Sequence, residues 1–226
     1  MVKDELKQQE AAIGEAVSKT ETFFENHSKA FVWGIVALFV VVGGVYGFRK
    51  LVIEPRAEKA SELIAEAQYR FEQENPDYEL ALNGDENGAG FLDVVEQYGS
   101  TPAGNLANHY AGICYLKSGD LENAAAYLAK YVPVKGLPGE VVNAQNLGLQ
   151  GDIAVENGDY EAAVKLFAKA VKASENLYTA PLYLRKQGLA LKALGRNEEA
   201  VALFEQILAE YPASMDAREA EKLIGE

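Results

Sequence analysis

Two histidines, His27 and His109, one cysteine, Cys114, and the stretch NGDENGAG from Asn83 to Gly90 hold the residue types of this chain that could carry chemistry. A thiol nucleophile needs a histidine and an orienting acid within hydrogen-bond reach. Cys114 lies in an apolar periodic segment without such partners and reads as a small buried hydrophobe. A phosphate-binding loop needs a strand before its glycines and a Lys-Ser/Thr after them. Gly84, Gly88 and Gly90 have neither, so the stretch reads as a flexible connector. Asp152 and Glu156 stand one helical turn apart, but on so acidic a chain they read as a solvated face. The expectation is a protein with no catalytic residues, no metal ligands and no cofactor, and not an enzyme.

Composition narrows the class further. The 226 residues are 49% apolar and 24% charged, with 34 Asp+Glu against 21 Lys+Arg and a net charge of −13. Those proportions exclude wholesale disorder, a collagen-like fibre and a disulfide miniprotein. Nucleic acid is excluded as a partner, because no basic run exceeds two residues and counterion release needs a concentrated cationic field. A single cysteine forbids an intrachain disulfide and fits either redox compartment.

One local departure decides the architecture. FVWGIVALFVVVGGVYGF, Phe31 to Phe48, is 18 residues without a charge, bounded by Lys29 and by Arg49-Lys50. As a helix it is about 27 Å long, close to the hydrocarbon thickness of a bilayer. Trp33 and Tyr46 near its ends match interfacial aromatic belts. The 30 residues before it include Glu15, Glu21 and Glu25, which argues against a cleaved signal peptide and for a retained anchor. His27 and His109 then lie on opposite sides of a membrane and cannot share a metal ion. Lys19 and Lys29 precede the span while Arg49, Lys50, Arg56 and Lys59 follow it, a balance favouring a cytoplasmic C-terminus. That rule weakens when a long domain follows, here 172 residues from Pro55, so charge leaves the orientation open.

The elements that would position any site are helices. Residues 1–30 read as a short polar arm whose Leu6, Ile13, Val17, Phe23 and Phe24 are too sparse to fold alone. A helix is expected from Arg56 to Glu74, stopped by Pro76, then a connector, a short helix from Phe91 to Tyr98, and a helix with Thr101 as N-cap and Pro102 as its first residue. Residues 49–100 are linker and N-terminal cap, 101–212 three degenerate repeats, and 213–226 a capping helix. No alternating β segment occurs.

The repeats follow from register. With Gly112, Gly151 and Gly188 aligned, Gly119, Gly158 and Gly195 fall seven residues on, Ala124, Ala163 and Ala200 twelve on, and Leu128, Phe167 and Phe204 sixteen on. Small residues in both helices of a hairpin let the backbones approach, a glycine turns the chain, and the large residue fills the groove. The pattern resembles the tetratricopeptide repeat, with spacings of 39 and 37 residues against about 34 in that family. The fold class expected is all-α, a single N-terminal transmembrane helix followed by a tetratricopeptide-like helical-hairpin solenoid.

The arm ending FFENHSKA, the glycine-rich span, the basic step RK, an alanine-rich helix and NLANHYAGICYLKSGDLENAAAYL together resemble the YfgM-like proteins. The resemblance covers most of residues 16–74 and the first repeat. It implies a bacterial inner-membrane protein, N-terminus cytoplasmic and repeat domain periplasmic, acting as an accessory, scaffold or chaperone-like subunit of the SecYEG translocon. Implied partners are SecYEG, a PpiD-like membrane-anchored chaperone and emerging secretory polypeptides, with membrane lipid around the span. The alternative is a membrane-tethered adaptor whose cytosolic repeats recruit a regulator.

The expected interaction surface is the groove lined by the first helix of each hairpin. Its positions are Leu106, His109, Ile113 and Lys117; Gln145, Asp152, Val155 and Glu156; and Leu182, Arg185, Leu189 and Lys192. Apolar groups and both signs of charge suit a polypeptide better than a small polar ligand. In the span, Gly43 and Gly47 form a G-x-x-x-G that permits close helix approach.

Overall fold

The structure, a computed structural model, describes the backbone from Val2 to Gly225 and side chains at Val17, Ser18 and from His27 onward. Of the apolar arm positions, Leu6, Ile13, Phe23 and Phe24 lie outside the described side chains, and Val17 is exposed. The chain divides into two compact units, Met1–Pro55 and Arg56–Glu226.

The first unit is helix α1, Val2–Phe48, followed by a π-helical turn, Arg49–Ile53. Helix runs through the arm that sequence alone treats as unable to fold. Its continuity with the span removes the nucleation cost, so each residue needs only propagation. From Phe31 to Phe48 no large apolar side chain is buried, Trp33 being 72% exposed. This segment is long and apolar enough to cross a membrane.

The second unit begins within α2, Glu54–Phe71, followed by α3, Tyr78–Asn83, the strands β1, Gly84–Asp85, and β2, Gly88–Ala89, and α4, Phe91–Tyr98. Three hairpins follow: α5 (Pro102–Lys117) with α6 (Leu121–Lys130), α7 (Gly139–Glu156) with α8 (Tyr160–Ala173), and α9 (Thr179–Ala193) with α10 (Asn197–Glu210). Helix α11, Met215–Ile224, closes the array. Thr101 accepts the Gly104 N–H at 3.0 Å and Pro102 opens α5.

Each hairpin is built as its register predicts. A Cβ on Gly112 would sit 2.6 Å from Leu128 Cγ, and one on Gly151 would sit 2.5 Å from Phe167 Cε1. Gly188 is pressed against Phe204 in the same way. Only glycine allows the large side chain of the second helix to lie on the first helix's backbone. At the turns, Gly119, Gly158 and Gly195 adopt φ of +82°, +74° and +73°, where a side chain would be strained. Asp120 and Asp159 then cap the second helices, accepting the N–H of Asn123 and Ala162, each at 3.0 Å. The third turn has Arg196 at this position, which makes no cap and instead grips Glu199.

The core is segmented. Ile64, Phe91, Val94 and Ala107 pack among α2 to α5; Ala163, Phe167 and Tyr183 among α7 to α9; and Leu184, Phe204, Ile207 and Ala217 among α9 to α11. Leu128 and Ala124 meet Ile153 to join the first hairpin to the second.

The glycine-rich stretch departs from expectation. Instead of a flexible connector it is a two-stranded antiparallel hairpin pairing Gly84 with Ala89 and Asp85 with Gly88. Arg70 on α2 donates to Gly88 O at 3.0 Å and to Asp85 Oδ1 at 2.7 Å, while Glu66 accepts the Ala89 N–H at 3.2 Å. The N–H groups of Asn87, Ala89 and Gly90, of the kind a phosphate would need, are accepted by the carboxylates of Asp85, Glu66 and Asp93.

Candidate functional site

The first helices α5, α7 and α9 carry the predicted groove, and the structure divides its twelve positions into three kinds. Lys117, Gln145, Glu156 and Leu189 are exposed, and Leu106, Val155 and Leu182 are half-buried. These seven present a mixed apolar and charged surface.

His109 and Ile113 are buried, at 1% and 7% exposure, and correct the prediction. His109 faces the neighbouring repeat instead of the groove. Asn146 Nδ2, a donor, lies 3.2 Å from His109 Nδ1, and Gln145 Oε1, an acceptor, lies 3.2 Å from Nε2. Those partners fix the neutral ring with its proton on Nε2. Burial pushes the His109 pKa down to about 4, against a smaller opposing effect of the Gln145 hydrogen bond. Gln150 donates to Asn146 Oδ1 at 2.7 Å, extending the polar seam.

The remaining positions are cross-ties. Lys186 Nζ on α9 donates to Asp152 Oδ2 on α7 at 2.7 Å, and Arg185 Nε donates to Asp216 Oδ1 on α11 at 2.6 Å. Lys192 Nζ reaches Leu223 O at 3.4 Å. Successive first helices are thereby linked in turn, α5 to α7 through His109, α7 to α9 through Asp152, and α9 to α11 through Arg185. Sequence reasoning missed Lys186 and Asn146. The only signal for Lys186 is a complementary charge 34 residues after Asp152, three short of the 37 that separate Gly151 from Gly188.

Between α7 and α9, Asp152, Val155, Lys186 and Leu189 line a cleft of about 170 Å³ with Tyr160, Phe167 and Ala190. It is large enough for one side chain of a bound polypeptide and too small for a typical cofactor.

The chemical candidates are absorbed by structure. Cys114 is fully buried and burial pushes its thiol up to about 12, far from a reactive thiolate. Asp152 is held by Lys186 while Glu156 faces solvent, so the two do not act as a carboxylate pair. Among the described residues, no group of three or more His, Cys, Asp or Glu converges as metal ligands. Gly43 and Gly47 face open space, with nothing within 4 Å of a Cβ at either, so no described contact of this chain uses their close approach.

Comparison with known proteins bears on this arrangement. Residues 149–214 match the tetratricopeptide repeat family model. No curated protein matches the chain. A crystal structure of MamA protein aligns with a TM-score of 0.50 at 16% identity over 75% of this chain and 79% of that one. A second crystal structure of MamA gives 0.46 at 19% identity over 60% and 75%. The first of these likenesses speaks to fold alone. Taken with the three glycine-to-large-residue hairpins, the matched segment identifies this chain as one that contains tetratricopeptide-type repeats.

Proposed function

We propose that this chain is a membrane-anchored binding subunit, an accessory, scaffold or chaperone-like component of the SecYEG translocation channel. The observation that carries the reading is the face of α5, α7 and α9. Lys117, Gln145, Glu156 and Leu189 stay exposed across three repeats whose first helices are tied together by ion pairs and hydrogen bonds. A preformed surface of this kind binds a polypeptide segment without first ordering itself. Earlier in the same chain stands a segment long and apolar enough to span a membrane. The likeness to YfgM-like proteins supplies the channel, a PpiD-like chaperone and emerging secretory chains as partners, and the bacterial inner membrane with the repeats in the periplasm.

The charge balance around the span favours a second reading, an adaptor with cytosolic repeats. Two experiments separate them. A cysteine at Asn87, exposed in the β hairpin, should react with an impermeant reagent in intact spheroplasts; protection there overturns the periplasmic placement. Purification of a tagged copy in mild detergent should recover SecY with a membrane-anchored chaperone. Recovery of cytosolic regulators alone would replace the channel reading with the adaptor.

A further inference from the structure

The exposed apolar side chains of the second unit are unevenly placed. Apart from Tyr69 and Leu189, every exposed large hydrophobic there lies in or within one turn of a connection between hairpins or the connection to α11. Val132 is 65% exposed, Leu137 79%, Leu177 65%, Tyr178 85% and Met215 77%. Because each hairpin reverses the chain once, these connections all lie at one edge of the stack. The opposite edge carries the turns Ser118-Gly119-Asp120, Asn157-Gly158-Asp159 and Gly195-Arg196, with no exposed large hydrophobic among the described residues.

The apolar edge is built and held. Asn105 brackets Val132, donating to its carbonyl at 2.8 Å and accepting its N–H at 2.7 Å. Asn143 does the same for Val134 at 2.8 and 3.0 Å. Asn176 Oδ1 accepts the N–H groups of Tyr178 and Thr179 at 2.8 and 2.9 Å. The side chains are therefore presented by ordered backbone. Leu177, Tyr178 and Met215 also border, with Tyr211 and Pro212, a cleft of about 620 Å³.

The second unit's chain begins at this same edge. Arg56 donates to Gln97 O and lies 5.5 Å from the ring centroid of Tyr98, the last residue of α4, beside the α4 to α5 connection. Phe48, the end of the apolar run, is only eight residues earlier. Those residues are helical, so at about 1.5 Å per residue the linker is about 12 Å long. The tether thus keeps the apolar edge within reach of the bilayer at high effective concentration.

We propose that this edge is a lipid-contacting rim, with Leu137, Leu177, Tyr178 and Met215 seated at the headgroup–acyl boundary of the membrane that the span crosses. Protruding aliphatic side chains with an amphipathic tyrosine suit a fluid interface. Lys130, Lys135 and Lys172 beside the connections are met by Glu140, Glu175, Glu210 and Asp216, so the attraction is apolar and weakly dependent on salt. The contact holds in either orientation of the chain. It rests on the run from Phe31 to Phe48 being a span, and flotation of the full chain with liposomes after alkaline carbonate extraction reports that separately.

The test uses the full-length chain in phosphatidylethanolamine–phosphatidylglycerol liposomes, with a nitroxide on a cysteine at 137, 178 or 215 and, as control, at Asn157; Cys114 is buried and stays unlabelled. Oxygen accessibility relative to a water-soluble nickel chelate should rise about threefold or more at the three rim positions over the control, as for side chains in the interface. With Leu137→Glu and Tyr178→Glu introduced, a label at Met215 should return to the control ratio. Three outcomes overturn the proposal: control-like ratios at all rim positions, retention of the raised ratio at Met215 in the double variant, or loss of access to both reagents, which marks a protein partner or second copy covering the edge. A chain that fails to float removes the span and the rim together.

Discussion

Replacing Gly151 with Ala tests the hairpin register at the contact inside the second hairpin. The new Cβ would stand 2.5 Å from Phe167 Cε1, where carbon atoms settle at about 3.5–4.0 Å. Phe167 cannot withdraw freely, being buried and stacked on Tyr183 with ring centroids 6.5 Å apart. Overpacking of this kind costs about 1–3 kcal/mol, offset by about 0.8–1.0 kcal/mol gained when alanine replaces glycine within a helix. A net loss of about 0–2 kcal/mol follows, or up to about 8 °C in Tm for a chain of this size, while the coupling to Phe167 should carry the full overpacking cost of about 1–3 kcal/mol. In a Phe167→Ala background the clash is gone and only the helical gain remains, so the same change should stabilise by about 0.5–1 kcal/mol. Gly158→Ala is the control: nothing lies within 4 Å of its Cβ, and its φ of +74° makes the cost one of backbone strain, equal in both backgrounds. Urea unfolding followed by circular dichroism gives all the values. A coupling below about 0.5 kcal/mol between positions 151 and 167 would refute the packing account.

Other expectations follow from the same contacts. Because burial lowers the His109 pKa from 6.5 to about 4, the unfolded chain binds the extra proton first as pH falls. Stability should drop by about 1 kcal/mol between pH 7.5 and 5.5, and His109→Gln should remove most of that slope in urea melts. Arg185→Glu should cost about 1.5–3 kcal/mol by leaving Asp216 half-buried without its donor, whereas Lys117→Glu, on an exposed side chain, should change stability by less than about 0.5 kcal/mol. The fragment from Arg56 should be soluble and helical by circular dichroism; aggregation without helix would contradict its being a self-contained unit. Arg70→Ala should speed hydrogen exchange at Gly84 to Ala89 and leave α7 to α11 unchanged.

Legibility in the sequence depended on how far apart in the chain the interacting residues lie. Gly112, Gly151 and Gly188 announced their partners because each meets a large residue sixteen positions later, inside one hairpin and at a constant offset. Thr101 and Pro102 announced the start of α5 for a similar local reason. The β hairpin was hidden because its own residues read as polar turn; the order comes from Arg70 and Glu66, 15 to 23 residues earlier. Helix α3 was missed although Asp77 supplies its N-cap, accepting from Leu80 N at 2.9 Å, because six residues leave too short a period to read. His109 was placed in the groove by its repeat position, but its partners Gln145 and Asn146 lie 36 and 37 residues away in the next unit. Arg185 and Lys192 were expected as free groove charges and instead tie α9 to α11, pairings that one repeat's pattern does not contain.

In the proposed role, polypeptide contacts the face of α5, α7 and α9 beside a membrane channel. Photocrosslinking in living cells, with a benzophenone amino acid at Lys117, Glu156 or Leu189 and a control at Lys165 on α8, measures it most directly. Adducts with SecY, with a membrane-anchored chaperone or with secretory chains are expected from the first three positions and none from the control. Adducts absent from all three, or equal in yield and identity to those from Lys165, would contradict it.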